Sequence, residues 1–344
     1  MNRKILVLGA FGYRTTLYDG QTIKTRNLLD LLRSKGTEPD FYDTQDFQYS
    51  KLSIFKMLFK VCKADYLFYL PAQNNLKYIF PLIFFLSKVF RTRIHYFVVG
   101  GWLKEYLEDK PVIKKKLSKI EGIHCETNLM KNLLEDCYSF NNVDVFPNFR
   151  INDFVPKPHH QDGELKMVFE ARVIKQKGLD TIFSMGERIM ANGLDKSITL
   201  DFYGPIQDVD GDEEYFKEGL ANYPFMKYFG PLEPDQINAK LEKYDVMLLP
   251  THFYTEGLPG SVLDAYISGI PVIVTNWKHA SEFVDDGKTG YIIPFEDDGE
   301  SLYDKVVSLL NNPETLFEMK TAARSRWYDF SADKAWLLIQ TYII

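Results

Sequence analysis

Short apolar runs alternate with helical segments along this chain, and they do so in two successive series, which leaves few architectures open. In the first series strands are predicted at Lys4–Ala10, Glu38–Tyr42, Tyr66–Leu70, Ile94–Val99 and Val143–Phe146, with a helix over Thr22–Lys35 closed by Gly36. The second series has strands at Met167–Glu170, Thr199–Tyr203, Val246–Pro250 and Pro271–Thr275. Alternation of this kind builds parallel sheets covered by helices on both faces, and two series in tandem predict two doubly wound domains facing each other across a cleft. A length of 344 residues fits about two domains. The segment Ile151–Gly163, with two prolines and two histidines, reads as the linker. Domains are therefore expected over 1–155 and 160–327, with a final helix over about 328–344 packing back on the first.

Hydrophobic residues form 45% and charged residues 26% of the chain, as in a folded globular protein. The start imitates a signal peptide, but Ile5–Ala10 is short and no small-residue cleavage site follows, so a first strand is the better reading. The apolar run Tyr78–Phe90 contains Pro81 and falls short of the ~20 residues that span a bilayer. Three scattered cysteines, Cys62, Cys125 and Cys137, form neither a disulfide framework nor a zinc site, and a reducing cytoplasm fits them.

Charge divides unevenly. Residues 1–150 carry 23 Lys and Arg against 15 Asp and Glu, a balance of +8, while residues 151–344 carry 18 against 32, a balance of −14. The excess is densest over 51–119, where 14 basic residues meet four acids and alternate with Phe55, Leu58, Phe59, Phe84 and Phe85. Solvated helix faces are one account. The other is contact with a phosphate-bearing acceptor or with an anionic membrane, which would place the chain peripherally at the inner membrane face.

Motifs that follow strands carry most weight, because ligands of such sheets bind at the carboxyl ends of strands. After Met167–Glu170 come Arg172 and Lys177, two cations five residues apart in a turn that leads into a helix. They can converge on one diphosphate, or simply be solvated. After Val246–Pro250 comes a loop with Glu256 and then Gly257-Leu258-Pro259-Gly260, predicted to open a helix over Ser261–Ser268 that ends at Gly269. Its first amides suit phosphate oxygens. Glu256 before the helix and Asp264 about one turn inside it lie at different depths, so the pair can hold hydroxyls at the two ends of a nucleotide sugar. The alternative is a capping acid and a buried acid. In the first series the loop Val99-Gly100-Gly101-Trp102 can bring backbone close to a ligand, with an indole face that suits a sugar. Asp208-Val209-Asp210 has the spacing of a metal-binding motif, yet it lies in a polar loop without a second ligand set and reads as solvated, so no metal and no cofactor are expected.

The run from Glu256 through Asp264-Ala265 to Gly269-Ile270-Pro271 resembles the signature of the retaining glycosyltransferases of family 4, which have the GT-B fold. That signature is Glu, seven residues, then Glu. Supporting matches are Arg172, Lys177 and Gly178, Tyr203-Gly204-Pro205, Phe229-Gly230, Asp245, and Ser281-Glu282-Phe283 followed by Gly287, Thr289 and Gly290. Asp19-Gly20-Gln21 before a helix, and Pro147-Asn148-Phe149-Arg150, look like members that build bacterial surface polysaccharides. The resemblance implies transfer of a sugar, with retention and without a metal, from a nucleotide-diphosphate sugar to a glycan or lipid-linked acceptor. Arg172 and Lys177 would neutralise the leaving diphosphate, Glu256 would contact the sugar and Asp264 the ribose. Gly20, Gly204 and Gly257–Gly260 would line the donor, with Gly100, Gly101 and Trp102 on the acceptor side. Two departures stand out: Asp264 replaces the usual Glu, and no His follows the strand before Gly100, His95 reading as a structural strand residue. They keep open a non-catalytic nucleotide-sugar binder; a nucleotide-sugar epimerase of the same fold is a further alternative, although such enzymes lack the Glu256-Gly257-Leu258-Pro259 arrangement. Nucleic acid is not an expected partner.

Overall fold

The computed structural model describes residues 3–14, 20–71, 73–157 and 163–343. Asp19 of the Asp19-Gly20-Gln21 match and positions 158–162 of the expected linker lie outside the described residues. The chain divides into two compact units, Met1–Ile151 with Phe330–Ile344, and Asn152–Asp329.

The first unit is a parallel sheet of β1 (Ile5–Gly9), β2 (Asp40–Asp43), β3 (Tyr66–Leu70), β4 (Arg93–Phe97), β5 (Gly122–Cys125) and β6 (Val143–Val145), in the order β2-β1-β3-β4-β5-β6. Every residue of β1 and β3 is buried, as expected of inner strands covered on both faces. On one face lie α1 (Gly20–Ser34), whose Leu28 and Leu32 pack with Phe146 and Phe149, and the C-terminal helix described below. On the other lie α2 (Ser53–Lys63), α3 (Phe80–Phe90) and α4 (Pro111–Leu117), which bury Met57 and Val61, Phe80 and Ile83, and Ile113 and Leu117. Leu58 and Phe84 also pack against that core, whereas Phe55, Phe59 and Phe85 face outward.

The second unit is a parallel sheet of β7 (Leu165–Glu170), β8 (Ile198–Tyr203), β9 (Met226–Tyr228), β10 (Val246–Leu249), β11 (Val272–Thr275) and β12 (Gly290–Ile293), in the order β12-β11-β10-β7-β8-β9. Its helices include α5 (Leu179–Ala191), α6 (Asp212–Asn222), α7 (Gly260–Ile267) and α8 (Pro313–Trp327), with α7 packed on α8. The chain then returns to the first unit, where α9 (Ala332–Tyr342) seats Ala335 and Ile339 on the α1 face. Ser331 caps α9 by accepting the Lys334 amide at 3.4 Å.

The order of the second sheet has a physical consequence. Strand order reverses between β7 and β10, so the loops after these two strands diverge and leave a crevice at their carboxyl ends. In the first sheet the reversal falls between β1 and β3.

Three strands escaped the sequence reading. β9 is three residues long, β5 carries His124 at a fully buried position, and β12 opens on Gly290 with φ +156°. None shows a recognisable apolar alternation. Pro259 also differs from expectation: it is the extended residue before α7 (ψ 137°) and not part of its first turn. Among the described residues no helix is long and apolar enough to cross a membrane.

Candidate active site

The loops after β7, β8 and β10 are stitched together by backbone contacts that only glycine permits. Gly178, at φ +91° before α5, lies so close to β10 that an added Cβ would sit 2.0 Å from the Pro250 carbonyl oxygen. Gly204, at φ +127° after β8, leaves 1.8 Å for a Cβ against the Ala171 oxygen. The Val173 amide donates to the Pro205 carbonyl at 3.0 Å, and the His252 amide to the Gln176 carbonyl at 2.8 Å. These contacts hold the turn carrying Arg172 and Lys177 against the loop carrying Glu256, on the two sides of the switch point.

Two of the expected residues meet there. Lys177 sits in a single 3-10 turn (Lys175–Lys177), is 7% exposed, and places Nζ 2.5 Å from Glu256 Oε2. The Phe253 ring covers its ammonium at 5.0 Å, and the Thr251 hydroxyl donates to Glu256 at 3.4 Å. An ammonium has three donors, so Lys177 can hold Glu256 and still offer a proton to an incoming oxygen. Arg172 is exposed, and its guanidinium donates to Gln207 Oε1 at 3.2 Å. It lies five residues before Lys177 in the loop after β7 and does not share its partner.

Gly257, Leu258 and Pro259 are buried and deliver the chain to α7, whose first amides start at Gly260. Asp264 lies in the second turn of α7 and is 8% exposed. Its carbonyl accepts from Asn238 Nδ2 at 3.1 Å and from the Ser268 hydroxyl at 2.7 Å, which fixes the backbone of this turn.

In the first unit Gly20 opens α1, and the neighbouring Gln21 donates its amide to the Leu70 carbonyl at 3.1 Å, at the carboxyl end of β3. Gly100 adopts φ +82°, Gly101 is buried, and Trp102 donates its indole N–H to the Val99 carbonyl at 2.7 Å while its ring meets Tyr106 edge-on at 5.2 Å. His95 lies inside β4 against His124, Nδ1 to Nε2 at 3.0 Å, both buried. Desolvation pushes His95 down to about 4 and holds His124 well below the usual imidazole range.

The sequence reading passed over His252. It lies three residues past the end of β10, and Nε2 is 3.1 Å from Asp180 Oδ1 and 3.2 Å from the Thr181 hydroxyl, both in the first turn of α5. Donation from the imidazole to the Asp180 carboxylate raises His252 above the ordinary histidine value and lowers Asp180. An imidazole three residues past a strand end, in a sheet with a reversal there, is the available signal. Asp212, two residues past the Asp208-Val209-Asp210 run, is buried and accepts the Lys175 amide at 3.1 Å, while Asp208 accepts the Glu213 amide at 3.3 Å at the start of α6. Asp212 thus ties backbone inside the unit, while Asp208, Val209 and Asp210 stay exposed, as expected of a solvated loop. Among the described residues no group of three or more His, Cys, Asp or Glu is arranged to hold a metal ion.

Asp245 is also structural. Fully buried at the start of β10, it pairs with Lys320 of α8 at 2.6 Å and accepts the Lys166 amide at 2.9 Å.

Comparison with known proteins agrees with this architecture. A Salmonella typhimurium protein named as the colanic acid biosynthesis glycosyltransferase WcaL is 28% identical over 169 residues, covering 47% of this chain and 40% of the relative. An uncharacterised protein from the cps region of Klebsiella pneumoniae is 28% identical over 177 residues, 51% of this chain and 43% of that one. The match thus spans less than half the length of either relative. Among solved structures, Anabaena HepE in complex with UDP-glucose aligns over 99% of both chains at a TM-score of 0.73 and 13% identity. Sucrose-phosphate synthase from Thermosynechococcus elongatus aligns over 99% of this chain and 98% of that one, at 0.74 and 15%. The fold is therefore GT-B, built of two parallel-sheet α/β units. The sequence profile of the family described as glycosyl transferases group 1 matches residues 151–326, which contain every side chain at the β7–β10 switch point, and the chain belongs to that family.

Proposed function

We propose that this protein is a retaining, metal-independent glycosyltransferase of the family 4 type, which moves a sugar from a nucleotide-diphosphate sugar to a glycan or lipid-linked acceptor in bacterial surface-polysaccharide synthesis. The observation that carries the reading is the Lys177–Glu256 pair at 2.5 Å, held at the switch point beside the start of α5. One cation and one carboxylate in contact suit a ligand whose diphosphate and sugar hydroxyls are neighbours.

In this reading Lys177 and Arg172 face the diphosphate, which carries two or more negative charges in the ground state and gains one as it leaves. Preorganised cations of this kind are worth most where water is thin, and Lys177 is nearly enclosed. Glu256 accepts from a sugar hydroxyl while keeping Lys177, and the first amides of α7, after Gly257-Leu258-Pro259, meet phosphate oxygens. Gly204 lets the loop after β8 lie against Ala171 and so helps shape the donor side. Asp264 takes the ribose, one methylene shorter than the usual Glu. The bond between the anomeric carbon and the diphosphate oxygen breaks, the acceptor oxygen bonds to that carbon from the same face, and the acceptor proton passes to the departing diphosphate. Positioning and charge neutralisation supply the rate. The acceptor side would use Gly100, Gly101 and Trp102, with peripheral contact at an anionic membrane presenting a lipid-linked acceptor.

The relatives' names point to polysaccharide chemistry, which supports the acceptor class. Incubation with labelled UDP-, GDP- and ADP-sugars, with and without acceptor oligosaccharides, tests the reading. Release of nucleoside diphosphate with an anomerically retained product is expected. Tight nucleotide binding with neither hydrolysis nor transfer would instead establish a non-catalytic binder, to which the Asp264 departure points.

A further inference from the structure

We propose that the outer face of α2 and α3 is a docking surface for an anionic phospholipid bilayer. This deepens the acceptor part of the function proposed above but uses none of the residue roles assigned there.

The observation is an inverted pair of helices. On α2 and the residue before its start, Leu52, Phe55 and Phe59 fall three and four apart and so form one stripe, opposite the buried Met57 and Val61. Phe55 is 67% and Phe59 60% exposed. On α3 the same pattern recurs: Leu82, Phe85 and Val89 face out, with Phe85 61% exposed, while Phe80 and Ile83 face the sheet. The two helices pack side by side and bury their other sides in the same core, so both stripes lie on the outward sides of neighbouring helices. Scattered exposed apolar residues are ordinary, but a set on two neighbouring helices marks an interaction surface.

Charge selects the occupant. Between Asp46 and Glu105 the chain carries nine Lys and Arg and a single acid, Asp65. Lys51, Lys56 and Lys63 are exposed on α2 or just before it, and Lys63 lies over the Phe59 ring at 4.1 Å. A hollow beside the end of α3 is lined by Lys88, Arg91, Arg93 and Lys119, with Glu121 its acidic member. A second copy of this chain docked by a two-fold axis would bring the same cations face to face, which is repulsive. An anionic bilayer supplies both complements, acyl chains for the aromatic stripe and phosphates for the lysines around it.

The test uses the full chain without donor, so its outcome is independent of the transferase reading. Co-sedimentation is measured with vesicles of phosphatidylcholine alone and of phosphatidylcholine mixed with phosphatidylglycerol. Binding is expected to the mixed vesicles only, weakened about tenfold or more by Lys56→Glu/Lys63→Glu and likewise by Phe55→Ser/Phe59→Ser/Phe85→Ser. These are exposed positions, and unchanged circular dichroism and nucleotide affinity would show that the variants fold. Equal recovery in the supernatant with both lipids overturns the proposal. So does binding that ignores the three phenylalanines, which would be adsorption by charge alone. A dimer seen by sedimentation and dissociated by the Phe variants, with no vesicle binding, would assign the face to a second copy.

Discussion

Lys177 is a side chain whose worth depends on one neighbour. A lysine enclosed to 7% exposure has lost most of its hydration, and Glu256 at 2.5 Å replaces it. If that ammonium also faces the departing diphosphate, Lys177→Ala lowers turnover by ~100-fold or more, the cost of one preorganised donor being ~2.7 to 4 kcal/mol. Arg172 is exposed and tied only to Gln207 in the described contacts, so Arg172→Ala should leave thermal stability within about 0.5 kcal/mol of the parent while cutting turnover comparably. Steady-state rates and a melting curve for each variant separate the two effects, and near-normal turnover in both would remove the diphosphate role. Depth separates the two acids. Glu256 faces Lys177 before α7, and Asp264 lies buried inside it. With Asp264 on the ribose, Asp264→Ala weakens binding of the free nucleoside diphosphate, whereas Glu256→Ala leaves that binding nearly unchanged and still damages transfer. Calorimetry showing equal nucleotide affinity in both variants would contradict the assignment.

At the scale of elements, the strands of the first unit carry polar groups that their burial makes costly. Lys24 of α1 is fully buried, donates to Glu126 Oε1 at 2.7 Å and to the Val98 carbonyl at 2.9 Å, and Glu126 in turn accepts the Gly100 amide at 3.3 Å. This pair joins α1 to the ends of β4 and β5 and anchors the Gly100 loop. Removing one partner leaves an uncompensated buried charge, so Glu126→Gln should lower stability by about 3 to 5 kcal/mol, and Lys24→Met/Glu126→Leu should recover part of it. Denaturant midpoints for the two variants decide the matter; a double variant no better than the single one argues against a charge penalty. His95 and His124 make a second buried contact, stacked with Tyr342 of α9 and near the Arg93 charge. Folded, His95 is held down to about 4, against an ordinary value of 6.5. The unfolded chain therefore takes up protons below about pH 6.5 that the folded pair refuses. Stability is full above that pH and falls as pH drops toward 4, by about 2 kcal/mol between pH 7 and 5 for His95 alone. Urea midpoints across this range should flatten in His95→Phe/His124→Phe, and an unchanged pH slope would place the acid sensitivity elsewhere.

For the molecule as a whole, anything that binds the folded chain and not the unfolded one raises its melting temperature. A nucleotide sugar at 100 times its dissociation constant adds ~2.7 kcal/mol, so a thermal-shift series over UDP-, GDP- and ADP-sugars should single out the donor base, and no shift with any of them would speak against a donor site. Much of the architecture could be read beforehand, because each inner parallel strand is an apolar run flanked by helices, and runs such as Tyr66–Leu70 are buried on both faces whatever their neighbours. The α2 and α3 faces were only half legible: period alone says that one side of a helix is apolar, but α3 is apolar all round, and only packing showed that Leu58 and Phe84 turn inward while Phe55 and Phe85 stay out. The strands β5, β9 and β12 left no such trace, being short and stabilised by ladders to β4, β8 and β11 rather than by their own pattern. By itself, then, the sequence determined the alternation of strand and helix, the glycines placed where the chain must turn tightly, and the charge and residue types offered near strand ends, since these depend on local chemistry. Only the tertiary structure decided which of those residues meet. Lys177 and Glu256 are 79 positions apart, as are Lys166 and Asp245, and Lys24 and Glu126 are 102 apart. Their contact depends on strand order and on how closely one loop can approach the next, and no periodicity along the chain encodes either.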